Sequence, residues 1–380
     1  MSIDGGVSMT PTTSVFFPTT GLHTVVYDLL EQETPDDMLM LLGNGAVNVQ
    51  IGDGVKKVGL GSFYFNTITG LSLPSTIKYI DDMAFSNNGL TSLTLPEGLE
   101  TIGSTSFAWN DFTSLVFPST LKGYNSIGAS AFCECQYLTS VTFTSTNDIT
   151  YFFNGTFYND YELKSFNVPQ PTRYASYNFL EGAFRNCRSL TGLTFPSKVA
   201  VYFGDESCAG CTSLSSITNT FDCAAIGSFA FSGCTALTTI DVSNSDWLGA
   251  SCFVGVPATA ITFTTGPVNI HTNSFNYMPN LQKIVLGRKM NDYTFSVIVG
   301  YGYEQFGVGC SSLTEIHMTC TEFVNESSIV DFASSDLPSN GIIYYYYKEG
   351  DYSINSKSAA EAFAALIGKG WTAVSGGILP

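Results

Sequence analysis

From residue 63 to about residue 320, apolar residues recur in a cadence that is neither helical nor a simple alternation. IDDMAFSNNGLTSLTLPEGLE (80–100) and IGSTSFAWNDFTSLVFPSTLK (102–122) match position by position: an Ile, a Phe five residues later, then a Leu-x-apolar-Pro ending. Anchors of this kind fall at Phe63, Phe85, Phe107, Phe132, Phe157, Phe184, Cys208, Phe231, Phe253, Phe275 and Phe306 or Gly307, 22 to 27 residues apart until a longer last step. Behind the anchors runs an L-x-x-L-x-L spacing, as in Leu90-Leu93-Leu95, Leu138-Val141-Phe143, Leu190-Leu193-Phe195 and Leu281-Ile284-Leu286. Its closing apolar-x-apolar pair has period two, which predicts a short strand with one buried face. Pro74, Pro96, Pro118, Pro169 and Pro196 end five of these strands, since proline cannot donate to a ladder. One such unit cannot bury its apolar face alone, so the pattern predicts a mainly β solenoid of about eleven stacked coils sharing one core.

Residues 1–50 and 341–380 lack the period and are read as caps around a repeat array at 51–340. In TPDDMLMLLGNG, Thr34 as N-cap, Pro35 at the first helical position and Gly43 near the end predict a short helix. At the other end, GIIYYYYKEG (341–350) reads as a last strand with tyrosines on alternate faces. Ser358 and Glu361 form a capping box that opens the apolar helix AFAALIGKGW, ended by Gly368 or Gly370.

Composition narrows the partners. Of 380 residues, 44% are hydrophobic and 12% charged, which excludes a disordered tail. The net charge of −17 repels phosphate backbones and anionic lipid, so neither nucleic acid nor a membrane surface is an expected partner. No run of eighteen apolar residues occurs, so no membrane insertion is expected. MSIDGGVSMTPTTSVFF has neither a basic n-region nor an apolar h-region, which predicts no signal peptide.

Candidate chemistry begins with ten cysteines. Cys133-x-Cys135 and Cys208-x-x-Cys211 have the look of metal or redox pairs. Set against the period, however, Cys135, Cys187, Cys211, Cys234 and Cys310 lie three residues after their anchors, where other coils carry Asn66, Asn88, Asn110, Asp160, Val256 and Met278. An inward slot filled by Asn, Cys or a small apolar residue fits structural free thiols. Disulfides between neighbouring coils and a metal pair are the alternatives. Cys133 stands outside the slot and is expected to be the more reactive of its pair. His23, His271 and His317 are too scattered for a catalytic or ligand set, and no phosphate-loop, zinc-protease or nucleophile-elbow motif is present. No enzyme activity, cofactor or metal is expected.

Binding candidates lie on the outside. The middle outward position of each strand (Ser72, Thr94, Val116, Thr142, Asn167, Thr194, Thr218, Asp241, Thr262, Val285, His317) makes a largely threonine column, with Thr142 and Thr194 as candidate contacts. Two aromatic-rich stretches, 152–179 and 290–306, break the period, and insertions in a solenoid often line its binding face. Tyr158, Tyr174, Tyr177, Tyr301 and Tyr303 are the candidates there, with packing between coils as the competing fate.

The cadence I-G-x-x-A-F-x-x-C-x-x-L-T-x-[VL]-x-[FL]-P is clearest in IGASAFCECQYLTSVTF (127–143) and EGAFRNCRSLTGLTFP (181–196). It resembles the BspA-type, or Treponema-type, leucine-rich repeat over about 290 of the 380 residues. The resemblance implies a right-handed leucine-rich-repeat solenoid with a sheet along one face, used for adhesion or recognition rather than catalysis. It points to a protein or glycan partner at a cell or virus-particle surface. The chain departs from bacterial surface members in its missing signal peptide, lipidation cysteine and sorting tail, which favours a virion protein or a cytosolic or protozoan one. An architectural phage component packed against other virion proteins is the alternative reading.

Overall fold

The computed structural model describes residues 2–3, 14–17, 23–27, 40–43, 47–144, 149–167, 176–196, 199–218, 222–241, 245, 247–263, 269–271, 273–286, 296–298, 307–318, 336–347 and 363–378. The chain is mainly β, a parallel solenoid of about nine turns. It divides into two compact units, Met1–Pro196 and Ser197–Pro380.

Each coil contributes two short strands and a tight turn segment. In the N-terminal unit the strands behind the anchors stack in parallel as Ser114–Phe117, Ser140–Phe143, Ser165–Asn167 and Gly192–Thr194. Leu115, Val141, Phe166 and Leu193 point inward in register, as the period-two reading requires. A second row precedes the anchors, with Lys57–Val58, Tyr79–Ile80 and Thr101–Ile102 in parallel and a bridge from Ile102 to Ile127. In the C-terminal unit the first row runs from Ile240–Asp241 through Ala260–Phe263, Lys283–Leu286 and Glu315–Met318. The second runs from Ala200–Phe203 through Asp222–Ile226, Trp247–Leu248 and Asn269–His271 to Ser296–Ile298.

The anchors fill the centre. In the N-terminal unit Phe63, Phe85, Phe107, Phe132, Phe157 and Phe184 form one continuous stack, with successive ring centroids 5.2, 5.4, 5.5, 6.1 and 5.6 Å apart. Phe231, Phe253 and Phe275 do the same in the other unit, at 6.0 and 6.4 Å. Every one of these rings is buried. Coils approach so closely before the anchor that a Cβ on Gly128 would stand 2.4 Å from the Ser104 nitrogen of the preceding coil. That close approach explains the recurring Ile-Gly pair.

Around each anchor the backbone hydrogen bonds point one way. Met83, Phe85 and Asn87 donate their N–H groups to Ser104, Ser106 and Ala108 of the next coil, at 2.9, 2.8 and 2.8 Å. Phe229, Phe231 and Gly233 do the same to Ala250, Cys252 and Val254, at 2.9, 2.9 and 2.7 Å. The N–H groups between them close turns inside their own coil, as in Ser86 to the Met83 carbonyl at 3.2 Å.

Four expectations are corrected. The turns number about nine rather than eleven. Leu90-Leu93-Leu95 keeps its spacing but Thr91–Leu95 forms no strand and Leu93 is half-buried; the long last step crosses residues outside those described. In place of the end of a helix at 34–43, Met40–Gly43 is a strand paired in parallel with Ser14–Phe17, and residues 34–39 lie outside the described ones. A short apolar run is compatible with either state, and pairing decided it. Finally, Ile342–Tyr347 is not the last strand, because Thr372–Ile378 pairs with it in parallel. The helix between them covers only Ala364–Gly368 and has no side-chain cap; Ser358 and Glu361 lie outside the described residues. It ends on Gly370 at φ +97°, with Gly370 and Trp371 donating to Ile367 and Leu366 at 2.9 and 3.0 Å, a Schellman end.

Candidate functional site

The slot three residues after each anchor points inward in both units, as expected. Its chemistry is one of donating to carbonyls. Asn88 Nδ2 donates to the Phe63 and Phe85 carbonyls at 2.9 and 3.0 Å, and Asn110 Nδ2 to those of Phe85 and Phe107, both at 3.0 Å. Where cysteine takes the slot, its thiol does the same. Cys187 donates to the Phe157 carbonyl at 3.1 Å, Cys234 to Cys208 at 3.2 Å and Cys310 to Phe275 at 2.9 Å. Asn and Cys alternate because both are small and carry a hydrogen for the preceding coil's anchor carbonyl.

Eight cysteines lie among the described residues, all buried and all free. Burial pushes the thiols of Cys133, Cys135, Cys234 and Cys310 up, Cys133 to about 12 and Cys310 to about 11, which disfavours their thiolates at neutral pH. Cys133 is buried like Cys135, so neither position of the pair presents an exposed thiol. It packs inside beside Cys135, and the outward direction belongs to Glu134, whose backbone is left-handed. No three His, Cys, Asp or Glu side chains among the described residues form a metal cluster. Unfolding in guanidinium without reductant should expose at least eight thiols to Ellman's reagent. A smaller count would mean a disulfide and would sink the free-thiol assignment.

The outward positions that matter flank the anchors. The residues two before and two after the anchor take left-handed φ in nearly every coil, with side chains that range from buried (Asn159, Ser251) to exposed. Most coils place Gly or Asn there (Gly61, Asn87, Gly155, Asn159, Gly182, Asn186, Gly210, Gly233, Gly255), residues for which this backbone is easy. Ten residues of other types share these positions, among them Met83, Thr105, Ser130, Glu134, Glu206 and Ser251; the four aromatic ones, Phe65, Trp109, Phe229 and Tyr277, have φ of 55°, 54°, 56° and 58°. They are 59%, 48%, 44% and 55% exposed. A bulky residue in this region costs about 1–2 kcal/mol, and no core packing offsets it at such exposure. Sequence reasoning missed this row, although the Gly and Asn recurring two residues either side of the Phe were its signal.

The candidate residues named from the sequence scatter. Thr194 is exposed on its strand, and Thr142 is half-buried with its hydroxyl 3.4 Å from the Leu115 carbonyl it donates to. Tyr158 is half-buried, with the Arg185 guanidinium 5.8 Å from its ring centre. Tyr177 is fully buried and belongs to the core, because the strand Tyr177–Phe179 turns both its aromatic side chains inward. Tyr174, Tyr301 and Tyr303 lie outside the described residues. At the far end of the outward column His317 stacks on Tyr344, ring centres 4.4 Å apart, and bonds through Nε2 to Glu315. Glu315 also pairs with Lys283 at 2.7 Å, and the Lys283 and His317 bonds together hold its carboxyl below the usual range.

Among the described residues no helix is long and apolar enough to cross a membrane. No curated protein matches the chain. Solved structures similar to it include the pneumococcal vaccine antigen PcpA, with a TM-score of 0.48 and 13% identity over 97% of this chain and 91% of that one. A leucine-rich repeat protein from Bacteroides ovatus gives 0.39 and 16% over 82% and 91%. One from T. pallidum gives 0.31 and 20% over 53% and 86%. The model of the BspA type leucine rich repeat region matches in six copies, at residues 56–181, 111–225 and 201–329. With the repeat matched across most of its length, the chain belongs to the BspA-type leucine-rich repeat family.

Proposed function

We propose that the chain is a non-enzymatic recognition module that holds a protein or glycan partner at a cell or particle surface. The observation that carries this reading is the set of large aromatic side chains kept in strained backbone and in water, above all Phe65 and Trp109. Strain of this kind persists where it serves contact with something else, and aromatic rings of low side-chain entropy are the usual anchors of an interface. Membership of a family whose solenoids are generally non-enzymatic supports the same reading.

Phe65→Gly and Trp109→Gly test it. Each relieves about 1 kcal/mol of backbone strain, so the melting temperature should hold or rise. Binding of the whole chain to a panel of epithelial cells, matrix proteins and arrayed glycans should fall by about tenfold or more. A wild-type chain that binds none of these, or glycine variants that bind as well as wild type, would overturn the reading. Fixed stoichiometry in purified phage particles, without such binding, would replace it with an architectural role.

A further inference from the structure

A groove of about 450 Å³ crosses the first coils of the N-terminal unit, at the corner that leads into the second strand row. Its lining repeats with the coils. Lys56, Lys78, Glu100 and Lys122 hold one equivalent position, 22 residues apart, and Thr76, Gly98 and Thr120 lie two residues before the last three of them. The threonines lock the corner. Thr76 Oγ1 accepts from the Gly54 N–H at 3.1 Å and donates to the Val55 carbonyl at 2.8 Å. Thr120 Oγ1 accepts from Gly98 at 3.1 Å and donates to Leu99 at 2.7 Å. Gly98, at φ +106°, leaves a floor without side chain between the two.

Three ammonium groups and one carboxylate therefore converge on the groove, in a chain with 15 basic and 32 acidic residues. Lys78 Nζ pairs with Glu100 Oε1 at 2.6 Å, and the Tyr79 hydroxyl donates to Glu100 Oε2 at 3.0 Å. Tyr79 keeps part of its ring exposed. Lys56 and Lys122 are both exposed.

We infer that this groove binds a carboxylated sugar of an acidic glycan. Lys122 adds positive charge beside the Lys78–Glu100 pair and favours a carboxylate over a neutral sugar. The carboxylate of Glu100 repels a compact, more highly charged anion such as phosphate more than a sugar monocarboxylate, and it accepts from a sugar hydroxyl. Tyr79 offers a flat apolar face to a pyranose ring, joined to the groove through its bond to Glu100. Lys78 and Lys122 stand two coils apart, about 10 Å at the spacing of paired strands, so a linear glycan lying along the stack meets a positive charge more than once. This inference rests on the binding-module reading but on residues separate from Phe65 and Trp109.

Calorimetric titration of the full chain tests it, with tri-galacturonate, its methyl ester, inorganic phosphate and a tri-glutamate peptide as probes. Tri-galacturonate should bind at low salt, and the ester should bind at least about tenfold more weakly. Lys122→Gln, a surface change, should weaken tri-galacturonate by about tenfold with an unchanged melting curve. Absence of tri-galacturonate binding, equal binding of the ester, or an unaffected Lys122→Gln variant overturns the inference. Equal binding of phosphate or of tri-glutamate also overturns it, in favour of a general anion or acidic-peptide site. If cells are bound through Trp109 while tri-galacturonate is not, the groove alone is refuted; if neither binds, the module reading falls with it.

Discussion

Phe107→Ala is expected to destabilise the N-terminal unit by on the order of 3–5 kcal/mol. The ring is fully buried, stacked at 5.4 Å on Phe85 and 5.5 Å on Phe132, and meets the edge of Phe112 at 6.1 Å. Coils touch only their neighbours, so the cavity left by the ring weakens both interfaces of its coil and no distant contact compensates. Urea unfolding followed by far-UV circular dichroism measures the loss, read as a shift of the first transition if the array melts in steps. Phe65→Ala, at an exposed site, should change the same midpoint by less than about 0.5 kcal/mol. A cost under about 1 kcal/mol for Phe107→Ala would refute the anchor role.

The second large effect sits in the slot of the Phe157 coil, where Asp160 stands in place of asparagine or cysteine. It is fully buried; its Oδ1 accepts from the Cys135 N–H at 2.7 Å and its Oδ2 has no partner. In the equivalent place Asn110 presents an amide that donates to carbonyls. A carboxylate has no hydrogen to give there, but the protonated acid does. Burial first, and the nearby Glu134 charge in addition, push the Asp160 carboxyl well above its ordinary range, against the pull of the Cys135 bond. Because the folded pKa is raised, this group's contribution to stability is fully present below about pH 4, the unfolded value, and is lost as pH rises toward the folded one. Asp160→Asn should therefore gain about 1–3 kcal/mol at pH 8, with little gain at pH 4. Melting curves of both proteins across that range would show the difference growing with pH. A difference independent of pH, or a less stable variant, would refute a protonated Asp160.

The stacked fold was legible because its anchors are large and regularly spaced: a Phe every 22 to 27 residues has few other uses. The slot was legible for the same reason, since Cys135 and Asn110 share a place in the count. The ends were not. Met40–Gly43 and Thr372–Ile378 carry no Phe anchor or L-x-x-L-x-L spacing, so although each pairs with a strand about one coil earlier, nothing in their apolar pattern marked them as strands. The binding surface was legible only in part. The tyrosines of the irregular stretch at 152–179 stood out by composition, yet Tyr177 is core, because an aromatic residue on a strand with apolar neighbours is drawn inward. Phe65 and Trp109 were hidden because their distinction lies in backbone conformation. It shows only when their positions are compared with the Gly and Asn of other coils.

The one-way hydrogen bonds around the anchors give the stack a head and a tail. Each coil offers N–H groups forward and carbonyls behind, so the last coil is a template onto which another coil, from this chain or a second one, could add. In the coil of Gly307, Gly309 gives its N–H at 3.0 Å to the carboxylate of Asp336, where other coils use a backbone carbonyl. A charged side-chain acceptor thus replaces a backbone carbonyl at this anchor turn, while the neighbouring strand row continues through Ile342–Tyr347 to Thr372–Ile378.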